Sequence, residues 1–133
     1  MKIAKIKETC LYTTDLESAK DFYCNILGFE IISYEKGKHI FFRAGESVLL
    51  CFNPDDSRIK THPLPHYAEG IQHIAFEVDA TIYSDYKSEL FKKGVKIVDE
   101  ITWWKGFRSF YFYDPAGHLL EVVQSGMWEK INK

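Results

Sequence analysis

Glu8, His73 and Glu121 are the residues of this sequence best suited to act together, because two carboxylates and an imidazole make a ligand set for a divalent cation. Glu8 begins the apolar stretch ETCLYTT and His73 begins HIAFEVD. A helix-like segment follows each, DLESAKDFYCNIL from Asp15 and TIYSDYKSELFKK from Thr81, and Gly28 and Gly94 close them. The spans from Glu8 to Gly28 and from His73 to Gly94 differ by one residue, so the chain is one unit written twice. Superimposing the closing strands on Gly45 and Gly117 lays Leu49 over Glu121. Of the four related positions, three can ligate a metal and the leucine cannot.

The charge of such a site sets its chemistry. Glu8 and Glu121 neutralise a divalent ion, which makes it a weaker Lewis acid than an ion held by two histidines and one carboxylate. One nitrogen and two carboxylates favour Mn, Fe or Mg over Zn, with Ni and Zn still admitted. Three protein ligands leave positions open for substrate oxygens. For proton transfer the first candidates are Glu8, as a weakly held ligand, and His66, from the loop between the copies. Each ligand also has an ordinary alternative: His73 as a core histidine bonded to a carbonyl, Glu121 at a strand end in water, Glu8 paired with Lys5 or Lys7.

Around these lie His39, Arg43 and Arg108, in strands where an arginine is costly unless paired. Either arginine can hold a substrate carboxylate or phosphate, or serve in a plain ion pair. Trp103, Trp104 and Phe107 can wall an apolar substrate or bury a subunit contact.

Periodicity supplies the elements that must position these groups. Leu16, Ala19, Phe22, Tyr23 and Ile26 recur at helical spacing behind Asp15 as N-cap, and Ile82, Tyr83, Tyr86, Leu90 and Phe91 trace a second stripe. Strands are predicted near residues 5–13, 29–35, 39–44, 47–53, 71–78, 95–101, 107–113 and 118–124. The order is β-α-β-β-β, twice. Alternation then puts Cys10 and Tyr12 on the face of Glu8, Ala75 on that of His73, and Leu119 and Val123 on that of Glu121. A shared cation satisfies the charges these faces carry. The segment NPDDSRIKTHPLPHYAEG holds three of the four prolines and no apolar periodicity, which fits a surface linker or, given its length, a lid.

Size and composition bound the rest. With 133 residues, 46% hydrophobic and 16% aromatic, the chain is sized for a single domain: a first module at about 3–53, a linker at about 54–69 and a second module at about 70–125. A net charge of -2 with scattered Lys and Arg excludes a nucleic-acid footprint. No run approaches the roughly 20 apolar residues of a membrane helix, and MKIAKIKETC lacks the form of a signal peptide. A cytoplasmic location is the expectation. Cys10, Cys24 and Cys51 are odd in number and without CxxC spacing, as reduced buried thiols would be.

The segments TTDLESAKDFYCNILGFE, GIQHIAFEVDA and FYFYDPAGHLLEVVQ resemble the vicinal oxygen chelate superfamily. Its members include glyoxalase I, bleomycin-resistance proteins, fosfomycin-resistance enzymes, extradiol dioxygenases and methylmalonyl-CoA epimerase. The resemblance implies an α+β fold in which two βαβββ modules form a curved eight-stranded half-barrel with helices outside and a metal inside. It also implies that Glu8 takes the first-strand ligand position, usually His or Gln, and that His73 and Glu121 match the ligands of the second module. Leu49 then falls where glyoxalase I has a further Glu, so the standard glyoxalase I reaction is disfavoured.

Three functions follow as expectations. The first is a divalent-metal-dependent lyase or isomerase acting on a small molecule with adjacent oxygens. The second is a metal-free, antibiotic-type binding protein of the bleomycin-resistance kind, using its aromatic residues as a groove. The third is an extradiol dioxygenase, which fits less well because that resemblance expects two histidines around iron and a longer chain. Family members of this length usually pair, and a half-barrel leaves edges and an apolar rim to cover, so a homodimer is expected.

Overall fold

Each copy of the repeat folds around one helix-covered sheet because its strands alternate and its helix carries a single apolar face. The computed structural model describes residues 1–130, in two units, Met1–Gly70 and a second that begins at Ile71. Among the described residues no helix is long and apolar enough to cross a membrane.

In the first unit β1 is Glu8–Tyr12, α1 is Leu16–Asp21, β2 is Glu30–Glu35, β3 is His39–Ala44 and β4 is Ser47–Phe52. Asp15 caps α1 as its position requires, accepting from the Ser18 backbone N–H at 3.0 Å and from the Ser18 hydroxyl at 2.7 Å. Those bonds hold the Asp15 carboxyl below its ordinary range. The helix widens into a π turn over Phe22–Ile26 and stops at Gly28, whose φ of +74° is a conformation glycine adopts without Cβ strain. The sheet runs β1-β4-β3-β2, with β1 parallel to β4 and the other pairs antiparallel. Leu11, Leu16, Ala19, Tyr23, Ile40, Phe42 and Leu49 are buried on its helix side.

The second unit has β5 His73–Val78, a 3-10 turn over Ala80–Ile82, α3 Tyr83–Lys92, β6 Asp99–Thr102, β7 Arg108–Tyr113 and β8 Leu119–Gln124, in the order β5-β8-β7-β6. The segment expected to be a linker belongs to the first unit instead, and it includes one short helix, α2, at Pro54–Ser57, capped by Asn53. Tyr83, Leu90, Phe110, Phe112, Leu120 and Val122 form the second core.

Several expectations change. The stripe on α3 is narrower than its spacing suggested: Tyr83 and Leu90 are fully buried, but Ile82 is 47% and Phe91 71% exposed. The 3-10 turn rotates Ile82 away from the helical row. Val95–Val98 does not join β6, although the Val98 N–H reaches the Tyr111 carbonyl at 2.8 Å. Only Cys51 is buried; Cys10 and Cys24 are half-buried, and all three are free thiols.

The superposition of Leu49 on Glu121 is also overturned, by the strand register. Glu8 pairs with Val48 and Cys10 with Leu50, whereas His73 pairs with Leu119 and Ala75 with Glu121. With Glu8 placed over His73, the counterpart of Glu121 is therefore Leu50. The glycine match is off by one because the hairpins differ: Ala44 pairs with Ser47 around Gly45-Glu46, while the Asp114 N–H meets the His118 carbonyl around Pro115-Ala116-Gly117. A slip of one residue reverses which face a side chain takes. Leu49 accordingly lies in the helix-side core and Leu50 on the face of Glu8.

Glu100 ties β6 to α3, accepting from the Tyr83 hydroxyl at 2.8 Å and from Lys87 at 3.0 Å. Burial pushes its carboxyl up, but the Tyr83 and Lys87 bonds outweigh that, and the net shift is downward. A carboxyl lowered by folding stabilises above its unfolded range, and that contribution is lost as pH falls through the folded value. Urea midpoints measured from about pH 6 to about pH 3 are expected to fall more steeply in the parent than in Glu100→Gln. Equal slopes would deny the coupling.

Candidate functional site

On the sheet face of the second unit opposite α3, His73 and Glu121 come together because β5 and β8 are parallel neighbours with Ala75 in register with Glu121. His73 Nδ1 lies 2.8 Å from the Leu119 carbonyl oxygen. A carbonyl only accepts, so Nδ1 carries the proton and Nε2 is the nitrogen left to face Glu121 Oε1, at 3.2 Å. Glu121 is buried, with its side chain only 9% exposed, while His73 remains 48% exposed. The histidine does bond a carbonyl, as its ordinary reading had it, but Glu121 is not at a wetted strand end.

Tyr111 and Ser109 complete this face, and neither was singled out from the sequence. Tyr111 is in register with Glu121 and its ring stacks on His73, centroids 6.2 Å apart. Burial, and after it the Ser109 contact and the hydrogen bond and charge of Glu121, act on the Tyr111 phenol, with a net push upward. Trp103 Nε1–H donates to Ser109 Oγ at 2.9 Å, and Ser109 Oγ lies 3.5 Å from the Tyr111 hydroxyl. A polar row thus leads from Trp103 to the buried carboxylate. The alternation in RSFYFY held the signal: Ser109 and Tyr111 share one face, Arg108, Phe110 and Phe112 the other.

Arg108 is therefore not beside the pair. It points to the α3 side, with Nη2 3.3 Å from Ser84 Oγ and its guanidinium 4.9 Å from the Tyr83 ring centroid. Trp104 is half exposed against Trp128, centroids 4.9 Å apart, and Phe107 lies against Gly126, where a Cβ would stand 3.1 Å from its ring.

The first unit carries Glu8, Cys10 and Tyr12 on one face, as alternation required. Arg43 stands in the row of Glu8, since both pair with Val48, and it is exposed. His39 and His66 lie at the other end. His66 Nδ1 hydrogen-bonds the Tyr12 hydroxyl, and its ring meets that of Phe52 edge-on at 4.6 Å. His39 pairs with Phe52, stacks on Phe41 at 4.1 Å and bonds Ser33 Oγ at 3.1 Å. Burial lowers its pKa, which keeps the ring neutral. Four residues of strand at about 3.3 Å each separate Glu8 from Tyr12 by roughly 13 Å. The two proton-transfer candidates, Glu8 and His66, cannot serve the same carbon within this unit.

Among the described residues no three His, Cys, Asp or Glu side chains gather into a metal-holding group. The donor chemistry of the His73–Glu121 pair nevertheless fits a divalent cation. Two ligand atoms about 2.1 Å from one ion and at right angles lie about 3 Å apart, close to the 3.2 Å observed. The Nδ1 bond to a backbone carbonyl is the outer contact that fixes a ligating imidazole.

Comparison with known proteins bears on both fold and site. Residues 5–122 match the family model described as Glyoxalase/Bleomycin resistance protein/Dioxygenase superfamily. A lactoylglutathione lyase from Agrobacterium tumefaciens is 30% identical, with a TM-score of 0.91 over 98% of this chain and 100% of that one. A virulence protein from Salmonella typhimurium is 26% identical, with a TM-score of 0.73 over 93% of this chain and 98% of its own. A fosfomycin resistance protein from Listeria monocytogenes, complexed with Mn(II) and 1S,2S-dihydroxypropylphosphonic acid, shares the fold at 23% identity and a TM-score of 0.69, over 96% of this chain and 94% of that chain.

Proposed function

The chain belongs to the Glyoxalase/Bleomycin resistance protein/Dioxygenase superfamily, and from that premise we propose that it is a divalent-metal-dependent lyase or isomerase acting on a small molecule with adjacent oxygens. The observation that carries this reading is the His73–Glu121 pair, with Nδ1 committed to the Leu119 carbonyl and Nε2 turned toward a buried carboxylate. The likeness to a lactoylglutathione lyase supports the reaction class.

His73 Nε2 and Glu121 are the ligands of the second unit, and Glu8, at the position of the first unit that corresponds to His73, is the third. When bound, the ion lowers the energy of negative charge developing on a substrate oxygen. Tyr111, its phenol held protonated beside the Glu121 carboxylate, orients that carboxylate from the register position next to it. Glu8 carries the proton-transfer role, while Tyr12, His39, Phe52 and His66 line the far, aromatic end of the same face and hold the apolar part of the substrate. Arg43, in the row of Glu8, pairs with a substrate anion. Leu50 stands where a further carboxylate would complete a glyoxalase I set, so the proton chemistry differs from that of the standard enzyme.

Metal analysis of chelator-free, untagged protein tests the reading. One equivalent of Mn, Fe, Ni, Mg or Zn in the parent and none in His73→Ala is the expected result; equal trace levels in both would favour the metal-free binder. We also propose a homodimer, because β1, β2, β5 and β6 are sheet edges and Ile3 and Ile6 are 93% and 82% exposed. Sedimentation equilibrium is expected to give twice the chain mass at micromolar concentration, and a monomer would sink this part of the proposal.

A further inference from the structure

We infer that the concavity between α3 and the β6–β7 side of the second unit is a separate binding site for a small organic anion with a flat apolar body, an aromatic carboxylate. It holds about 680 Å³, within the range of roughly 300–1,000 Å³ typical of small-molecule sites. Its apolar wall is Phe91, Ile97 and Val98. Phe91 is 71% exposed there, a large ring on a helix face with nothing of its own unit over it.

Arg108 supplies the charge. Its backbone N–H is bonded to Gln124 Oε1, its Nη2 reaches Ser84, and the guanidinium rests over Tyr83. Among the described residues no carboxylate is within ion-pair distance of it. A guanidinium has five donors and the observed contacts use one, so a fork suited to a carboxylate is left open. A half-buried guanidinium with unfilled donors is costly, and an incoming carboxylate that accepts from them relieves that cost. Glu100 shares this wall and its charge acts on Arg108 from a distance, but its hydrogen bonds go to Tyr83 and Lys87 and leave the guanidinium fork open. Asp99 is the other carboxylate of the lining, and one of its oxygens accepts the Glu100 backbone N–H at 2.8 Å. Lys87, Lys92 and Arg108 outnumber these two acids. Arg108 and the His73–Glu121 pair occupy opposite faces of one sheet, so this site does not rest on the proposed metal chemistry.

The test is calorimetric titration of naphthoate, and of its neutral isostere naphthylmethanol, into the full chain. Saturable binding of one naphthoate per chain is expected, weakened about tenfold or more both by Arg108→Gln, which removes a charge-assisted pair, and by Phe91→Ser, which removes the ring. Phe91 is exposed, so its variant folds even if Arg108→Gln does not. The alcohol should bind at least about tenfold more weakly than the acid. Parent-like affinity in Phe91→Ser, equal binding of alcohol and acid, or no saturable binding by the parent would each overturn the inference.

Discussion

Glu121→Ala is expected to abolish stoichiometric metal binding, weakening affinity for Mn or Ni by well over about 100-fold. Loss of an outer-shell partner alone costs about 10- to 100-fold, and this substitution removes a ligand. Glu121 is also the buried member of its pair, with its side chain 9% exposed, so solvent cannot fill its place as readily as it could at His73. Tyr111→Phe, which removes only the phenol that orients the carboxylate, should fall within the outer-shell range. Calorimetric titration of Mn and Ni into both variants measures the difference. If Glu121→Ala binds as tightly as the parent, Glu121 is not a ligand, and its burial beside Tyr111 has a structural cause.

Phe110→Ala is expected to cost about 3–5 kcal/mol, a large part of the roughly 5–15 kcal/mol that holds a typical domain folded. Phe110 is fully buried and packs against Tyr83 at 5.4 Å and Phe112 at 5.9 Å. Removing its ring opens a cavity that a sheet strand cannot collapse to fill. Phe91→Ala, which changes an equally large side chain on the neighbouring helix, should shift stability by less than about 0.5 kcal/mol because the ring is mostly in solvent. Urea unfolding of the two variants separates them. Comparable losses would mean that Phe91 is covered in solution, by a second chain or by a ligand.

That contrast shows how far pattern can be read. Phe91 and Leu90 looked alike in the stripe of α3, since helical spacing marks a face only to within a residue or so, and a 3-10 turn at its start shifts the phase. Arg108 was legible as a costly charge in a strand, yet its face was settled by the register of β7 against β8. Ser109 and Tyr111 were present in the alternation of RSFYFY but carried no signal of their own, because a tyrosine in a strand is ordinary until its register partner is known to be a buried glutamate.

By itself the sequence determined the repeat, the β-α-β-β-β order, the cap at Asp15, the turns, and the identity of Glu8, His73 and Glu121 as the residues worth pairing. These follow from local physics: spacing, capping and turn conformation act over a few residues and leave their mark on residue type. Tertiary structure decided which leucine of the first unit corresponds to Glu121, how His73 spends its two nitrogens, and which face Arg108 serves. Those depend on hairpin length and strand register, where one added residue in the Asp114–His118 turn moves every partner by one and turns a side chain from the core to the site.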